Sequence, residues 1–235
     1  MIQASQFVPI SFGVTMVGFG LTKSVGRLAA RLLTSYGDEI DDELGNHIEI
    51  QEPLQFVFRD RGLLTVTTFW TKFEGAFEPH PNSIHDPNLS PIYWAVELLS
   101  TVLTIQKQQP VNLKFEMTWL LDGHATTTAL VDYLGMSKSL NGLFAASTDF
   151  EVSGNTTVQL SNLYLVECEL TTGRLGDYTP PENVGIVMRY RSPDNRFGDS
   201  APIDYTRAVI DQFFANTPLE MMKQLKSLFP VMDVS

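Results

Sequence analysis

Val111-Asn112-Leu113-Lys114-Phe115-Glu116-Met117-Thr118-Trp119-Leu120-Leu121 places an apolar residue at every second position, with Asn112, Lys114, Glu116 and Thr118 in most of the gaps. That is the period of a β-strand with one face in a core and the other toward water. Asp122-Gly123 follows, a pair that tolerates the positive backbone angles of a two-residue turn. His124, Thr126, Thr127, Thr128, Val131 and Tyr133 then carry the chain on through Leu134 in a β-branched run. The expectation is a long antiparallel hairpin with its turn at Asp122-Gly123.

The rest of the chain is consistent with a β-rich core. At 235 residues it has room for one large domain, and a hydrophobic content of 43% against 18% charged residues argues for a folded chain rather than a disordered one. Sixteen Lys and Arg against 27 Asp and Glu leave a net charge of −11, which repels phosphate backbones and anionic lipid, so bulk nucleic-acid binding is not expected. The single cysteine, Cys168, excludes an intrachain disulfide and points to a reducing compartment. Its phase with Tyr164, Val166 and Leu170 reads as a small buried residue rather than a reactive thiol.

Phe7 to Gly20 is apolar, but no Lys or Arg precedes it, Pro9 interrupts it, and it falls short of the roughly 20 residues that span a bilayer. No signal peptide or transmembrane segment is expected, and residues 1–20 read as a core strand or an extended arm. Leu21, Val25, Leu28, Ala29, Leu32, Leu33 and Tyr36 share one helical face over residues 21–37, while Lys23, Arg27 and Arg31 form a basic row on the other. That row is either a solvated face or a docking surface for an acidic partner. Asp38 to Glu52, with Asp41, Asp42 and Glu43 at its centre, supplies such an acidic segment in the same chain or a neighbour. It is not an EF-hand loop, because Ile40 and Glu43 stand where the third ligand and the glycine belong. An exposed acidic linker is expected, with irregular divalent-cation binding as the alternative.

Residues 53–191 read as the β-rich core. Leu54–Phe58 and Leu63–Phe73 form a second hairpin through Arg59-Asp60-Arg61-Gly62, and Gly75–Pro91 is a proline-rich loop. Ser90-Pro91 opens a middle helix near 91–107 along Ile92, Val96, Leu99 and Leu103, although Thr101 to Ile105 also suits a strand. Ser153-Gly154-Asn155 is expected to turn, Asn155-Thr156-Thr157 being part of that turn rather than a glycosylation site. Thr157 to Leu170 and Val184 to Arg191 then form further strands of an antiparallel meander. Over 203–230, Tyr205, Val209 and Phe213 mark one helix. Thr217-Pro218-Leu219-Glu220 resembles the capped start of a second, along Leu219, Met222, Leu225 and Phe229, so a helical hairpin is expected. No fixed-period internal repeat is legible.

Reactive groups do not assemble into a motif. Glu78, His80, His85 and Asp86 cluster in the proline-rich loop without zinc spacing, and His124 sits beside Asp122 at the expected turn. Val17-Gly18-Phe19-Gly20 lacks the third glycine of a dinucleotide fingerprint, and Gly-Lys-Ser/Thr is absent. No cofactor, metal or catalytic residue is assigned. The expected fold is α+β: an antiparallel sheet or two-sheet core with an amphipathic N-terminal helix, a middle helix and a C-terminal helical hairpin. The leading functional expectation is a non-enzymatic structural or assembly subunit, such as a virus or phage particle component. It would associate with itself through the arm and through Lys23, Arg27, Arg31, Asp41, Asp42 and Glu43, inside a cell or a virion. A small-molecule or protein-binding module and a hydrolase using His124 or the His80/His85 loop are the alternatives.

Overall fold

The computed structural model describes residues 2–19, 25–41, 53–77, 88–121, 152–160, 164–174, 184–195 and 203–229. Among them are eight strands in one antiparallel sheet: β1 (Phe7–Phe19), β2 (Leu54–Phe58), β3 (Gly62–Val66), β4 (Trp70–Ala76), β5 (Gln109–Leu121), β6 (Val152–Leu160), β7 (Tyr164–Arg174) and β8 (Val184–Arg191). Their spatial order is β2-β3-β4-β1-β5-β8-β7-β6. The described residues also hold three α-helices, α1 (Val25–Tyr36), α2 (Ser90–Gln106) and α3 (Arg207–Leu228), so the α+β class stands.

The alternation along β5 does what its period demands. Leu113, Phe115, Met117 and Trp119 are fully buried and Leu121 nearly so, while Lys114 is exposed. The partners differ from the expected hairpin. β1 runs antiparallel along β5 from Phe7 opposite Leu121 to Phe19 opposite Gln109, and β8 takes the other edge from Lys114 to Leu120. The return strand expected from His124 lies outside the described residues, and the edges it needs on β5 are already occupied. The apolar stretch near the N-terminus is therefore the strand of its two readings and not the arm. As β1 it sits at the middle of the sheet between β4 and β5.

The second hairpin forms as expected between β2 and β3. Residues Leu63–Phe73, however, make two strands, because Thr67 turns the chain: its hydroxyl accepts from the Phe69 and Trp70 amides. Asp60 is left-handed (φ 54°) and Gly62 has φ 147°. A Cβ on Gly62 would stand 2.0 Å from the Glu74 carbonyl oxygen, in backbone that L side chains rarely adopt. Gly62→Ala is expected to lower stability by more than ~1 kcal/mol, whereas the same change at a glycine with compatible backbone is stabilising. A urea midpoint equal to wild type would contradict this geometry.

The start of the acidic segment is not a plain linker. Ile40 is buried and bridges Phe58, the Asp41 amide donates to the Val57 carbonyl (2.9 Å), and the Arg59 amide donates to the Glu39 carbonyl (2.9 Å). This pairing covers part of the outer edge of β2. Ser153-Gly154-Asn155 lies within β6 and does not turn, since each residue pairs with β7.

α1, α2 and α3 lie on the core face of the sheet. α1 buries Leu28, Ala29 and Leu32, but Leu33 is 40% exposed, so its apolar face is narrower than its sequence suggests. α2 is buried along most of its length and stays helical through Ile105, ending at a left-handed Lys107. The C-terminal segment is one continuous helix and not a hairpin. Ile210, Phe213, Phe214, Thr217, Pro218, Met221, Met222 and Leu225 form an unbroken three-four stripe through the proline, and all are buried. An interior proline costs roughly 3 kcal/mol, whereas each large apolar side chain fully buried contributes about 1.5–3 kcal/mol. A break at Asn216 would split the stripe. The Thr217 hydroxyl donates to the Phe213 carbonyl (2.6 Å), tying the turn where Pro218 supplies no N–H.

Candidate functional site

Because the described helices share one face of the sheet, the opposite face holds the polar half of the alternation. Pairing register places Lys72 on β4, Thr15 on β1, Lys114 on β5 and Arg191 on β8 in one transverse row. The next row holds Glu74, Gly13, Glu116 and Arg189. These two rows lie at the middle of the eight strands, where twist makes a sheet saddle-shaped. A hollow of about 850 Å³ opens there, lined among others by Gly13, Thr15, Val17, Trp70, Lys72 and Lys114. Glu116, Arg189 and Arg191 line it as well, together with Asn155 and Thr157 from β6. Gly13 contributes space: a Cβ there would meet Lys72 Cε at 3.5 Å and Glu116 Cβ at 3.6 Å.

Charge in the hollow is partly compensated. Lys72 pairs with Glu74 at 2.7 Å and Arg189 with Glu116 at 2.5 Å, both near the surface, where such pairs contribute about 0–1 kcal/mol. Across the β7–β8 ladder Arg191 stands opposite Glu167, and Arg189 opposite Glu169. Lys114 differs. Its cross-strand neighbours are Thr15 and Arg191, and among the described residues its ammonium makes no hydrogen bond or ion pair. Like charges directly opposite on adjacent strands are destabilising, so this placement does not serve the sheet itself.

A second polar cluster lies where β8 ends, and it is structural. The Ser192 amide donates to the Leu113 carbonyl (2.9 Å), and its Oγ accepts from the Leu113 amide (2.8 Å), so one residue continues the ladder beyond Arg191. The Tyr205 hydroxyl donates to the Pro193 carbonyl (2.5 Å) and stands 2.7 Å from Ser192 Oγ, while Asn112 Nδ2 donates to the Ser192 carbonyl. Burial pushes the Tyr205 phenol up to about 12; the Ser192 hydrogen bond opposes that rise and the nearby Asp194 charge adds to it.

Of the residues expected at a partner surface, Arg27 and Arg31 are exposed on α1, and Asp41 is half-buried where the chain meets β2. Lys23, Asp42 and Glu43 lie outside the described residues, as do His80, His85 and His124. Cys168 is mid-strand in β7, opposite Thr156 and Tyr190. Among the described residues no three His, Cys, Asp or Glu side chains converge as metal ligands, and no helix is long and apolar enough to cross a membrane. The hollow was not legible beforehand: Lys72, Lys114 and Arg191 are scattered in the chain, and only strand order makes them neighbours. The alternation that put Lys114 and Glu116 on the face opposite the core was the one available signal. No family model matches the chain, and no curated protein or solved structure matches it either.

Proposed function

We propose that this chain is a non-enzymatic binding module that takes a small anionic ligand on the face of its sheet away from the described helices. The observation that supports it is Lys114, a cation set opposite Arg191 and separated from Lys72 by β1, without a counter-charge among the described residues, on the wall of the 850 Å³ hollow. A carboxylate or phosphate group seated there supplies Lys114 with a counter-charge and gains charge-assisted hydrogen bonds. The overall charge of −11 restricts this to small anions, since a long polyanion meets repulsion from the rest of the surface. Among the described residues Phe115, Trp119 and Phe214 are buried between the sheet and the helices.

Thermal unfolding with inorganic phosphate, citrate and a glutamate-rich peptide tests this. A ligand at a hundred times its Kd adds about 2.7 kcal/mol to stability. At least one probe is expected to raise the wild-type midpoint, and Lys114→Glu to remove that rise while leaving the unliganded midpoint equal to or slightly above wild type. Equal rises in both proteins would rule out the hollow.

Self-association as a subunit of a larger particle, a virion component included, is a second reading. It is supported by β6. Val152–Leu160 contains no charged residue and no proline, and among the described residues it pairs on one side only, with β7, at the end of the sheet. Edge strands of this composition pair readily with another chain. Light scattering at micromolar concentration is expected to give a mass above one chain that falls on Thr156→Lys. A monomer in both low and high salt counts against assembly.

A further inference from the structure

We infer that the chain consists of two copies of one folding unit fused in tandem, and that the β1–β5 seam is an internal counterpart of a homodimer interface. The topology carries this first. β1 is followed by α1 and then by the three-strand meander β2-β3-β4, whose last strand returns to pair with β1, and then by α2. Among the described residues β5 is followed by the meander β6-β7-β8, whose last strand returns to pair with β5, and then by α3. The sheet order is therefore a palindrome about the β1–β5 seam.

Register agrees in detail. β4 covers β1 from Ser11 to Val17, and β8 covers β5 from Lys114 to Leu120, the same number of residues in each case. Matching these stretches end to end aligns Ser-Phe-Gly-Val-Thr-Met-Val with Lys-Phe-Glu-Met-Thr-Trp-Leu. Phe12 meets Phe115 and Thr15 meets Thr118, and the remaining apolar positions meet apolar ones. Faces match too: Phe12, Val14 and Met16 are buried, as are Phe115, Met117 and Trp119. Under this alignment the pair Phe12–Met117 maps onto Val14–Phe115, and Gly13–Glu116 lies on the axis at the midpoint of β1. The hollow described above thus straddles the seam, with walls from both units.

Chain ends give an independent agreement. Lys107-Gln108 joins the end of α2 to the start of β5. At the corresponding place the Phe229 carbonyl, after α3, accepts from the Ala4 amide (3.0 Å), and the Phe229 and Phe7 rings are 4.7 Å apart, so the end of α3 meets the start of β1. No repeat was legible because the β7–β8 connection is longer than the β3–β4 connection and the residues on the face away from the helices differ in charge, as Glu74 against Arg189 illustrates. Only the central strands retain a visible correspondence.

A crystal structure of the full chain tests the duplication directly. Superposing β1 through α2 on β5 through α3 is expected to need close to a half-turn and to set Ser11 on Lys114; any other rotation, or another partner for Ser11, overturns it. A second test exchanges Ser11–Val17 and Lys114–Leu120 reciprocally in the full chain. The exchanged protein is expected to unfold cooperatively in urea, with a smaller loss in midpoint than the two one-way replacements added together. A loss equal to or above that total overturns the equivalence of the two strands. Neither test depends on a ligand, so each can fail or succeed apart from the binding proposal.

Discussion

Trp119→Ala is expected to lower the stability of this protein by about 3–5 kcal/mol, a large part of the roughly 5–15 kcal/mol that holds a domain folded. Trp119 is fully buried at the core face of β5, between Pro9 on β1 and Ile186 on β8. Both neighbours are held by backbone ladders, so the space left by the indole cannot close by sliding the strands. Such sites lie at the costly end of large-to-small replacements. Trp119→Phe keeps an aromatic ring in place and is expected to lose much less. Equilibrium urea unfolding measures both. A loss under about 1 kcal/mol for the alanine variant would mean that β5 does not lie at the centre of the core.

Ser192→Ala is expected to be the second most damaging change, at about 2–4 kcal/mol, because it removes the acceptor of the buried Leu113 amide and a partner of the Tyr205 hydroxyl together. Losing an acceptor from a buried backbone N–H incurs its desolvation cost, which a methyl group does not return. Tyr205 adds a pH signature. Its folded-state pKa of about 12 lies above the ordinary 10.0, so stability is complete below pH 10 and is lost as pH rises toward 12, where the unfolded chain ionises first. The loss across that window is on the order of 2–3 kcal/mol. Unfolding free energies from urea curves at pH 9 and pH 11 are expected to differ by about half of that in wild type. Tyr205→Phe should show a smaller difference, and an unchanged alkaline limb in that variant would place the titrating group elsewhere.

Elements whose identity depends on local pattern were legible in the chain. Val184 to Arg191 forms β8 with the expected bounds, and α2 starts at Ser90-Pro91 as its turn chemistry indicates. The β2–β3 hairpin follows from Gly62. The C-terminal hairpin failed for a physical reason that can be named. Thr217-Pro218-Leu219-Glu220 satisfies the local rule for a helix start, but the stripe from Ile210 to Leu225 rewards continuing through it. Leu219, read as a core position from its spacing, is 52% exposed. For the face away from the described helices, sequence could say that Lys114 and Glu116 avoid the core, and no more, since its other cations come from strands far apart in the chain.

Alternation along Gln109–Leu121 by itself determined a half-buried strand, and composition by itself determined an acidic, core-forming chain. Which strands flank β5, and hence that Lys114 faces Arg191 and that the apolar N-terminal stretch fills the centre of the sheet, only the tertiary structure decided. Backbone N–H and C=O groups are the same at every residue and carry no address. A strand's partner is chosen by how much apolar surface the whole sheet buries, a quantity that no single segment contains.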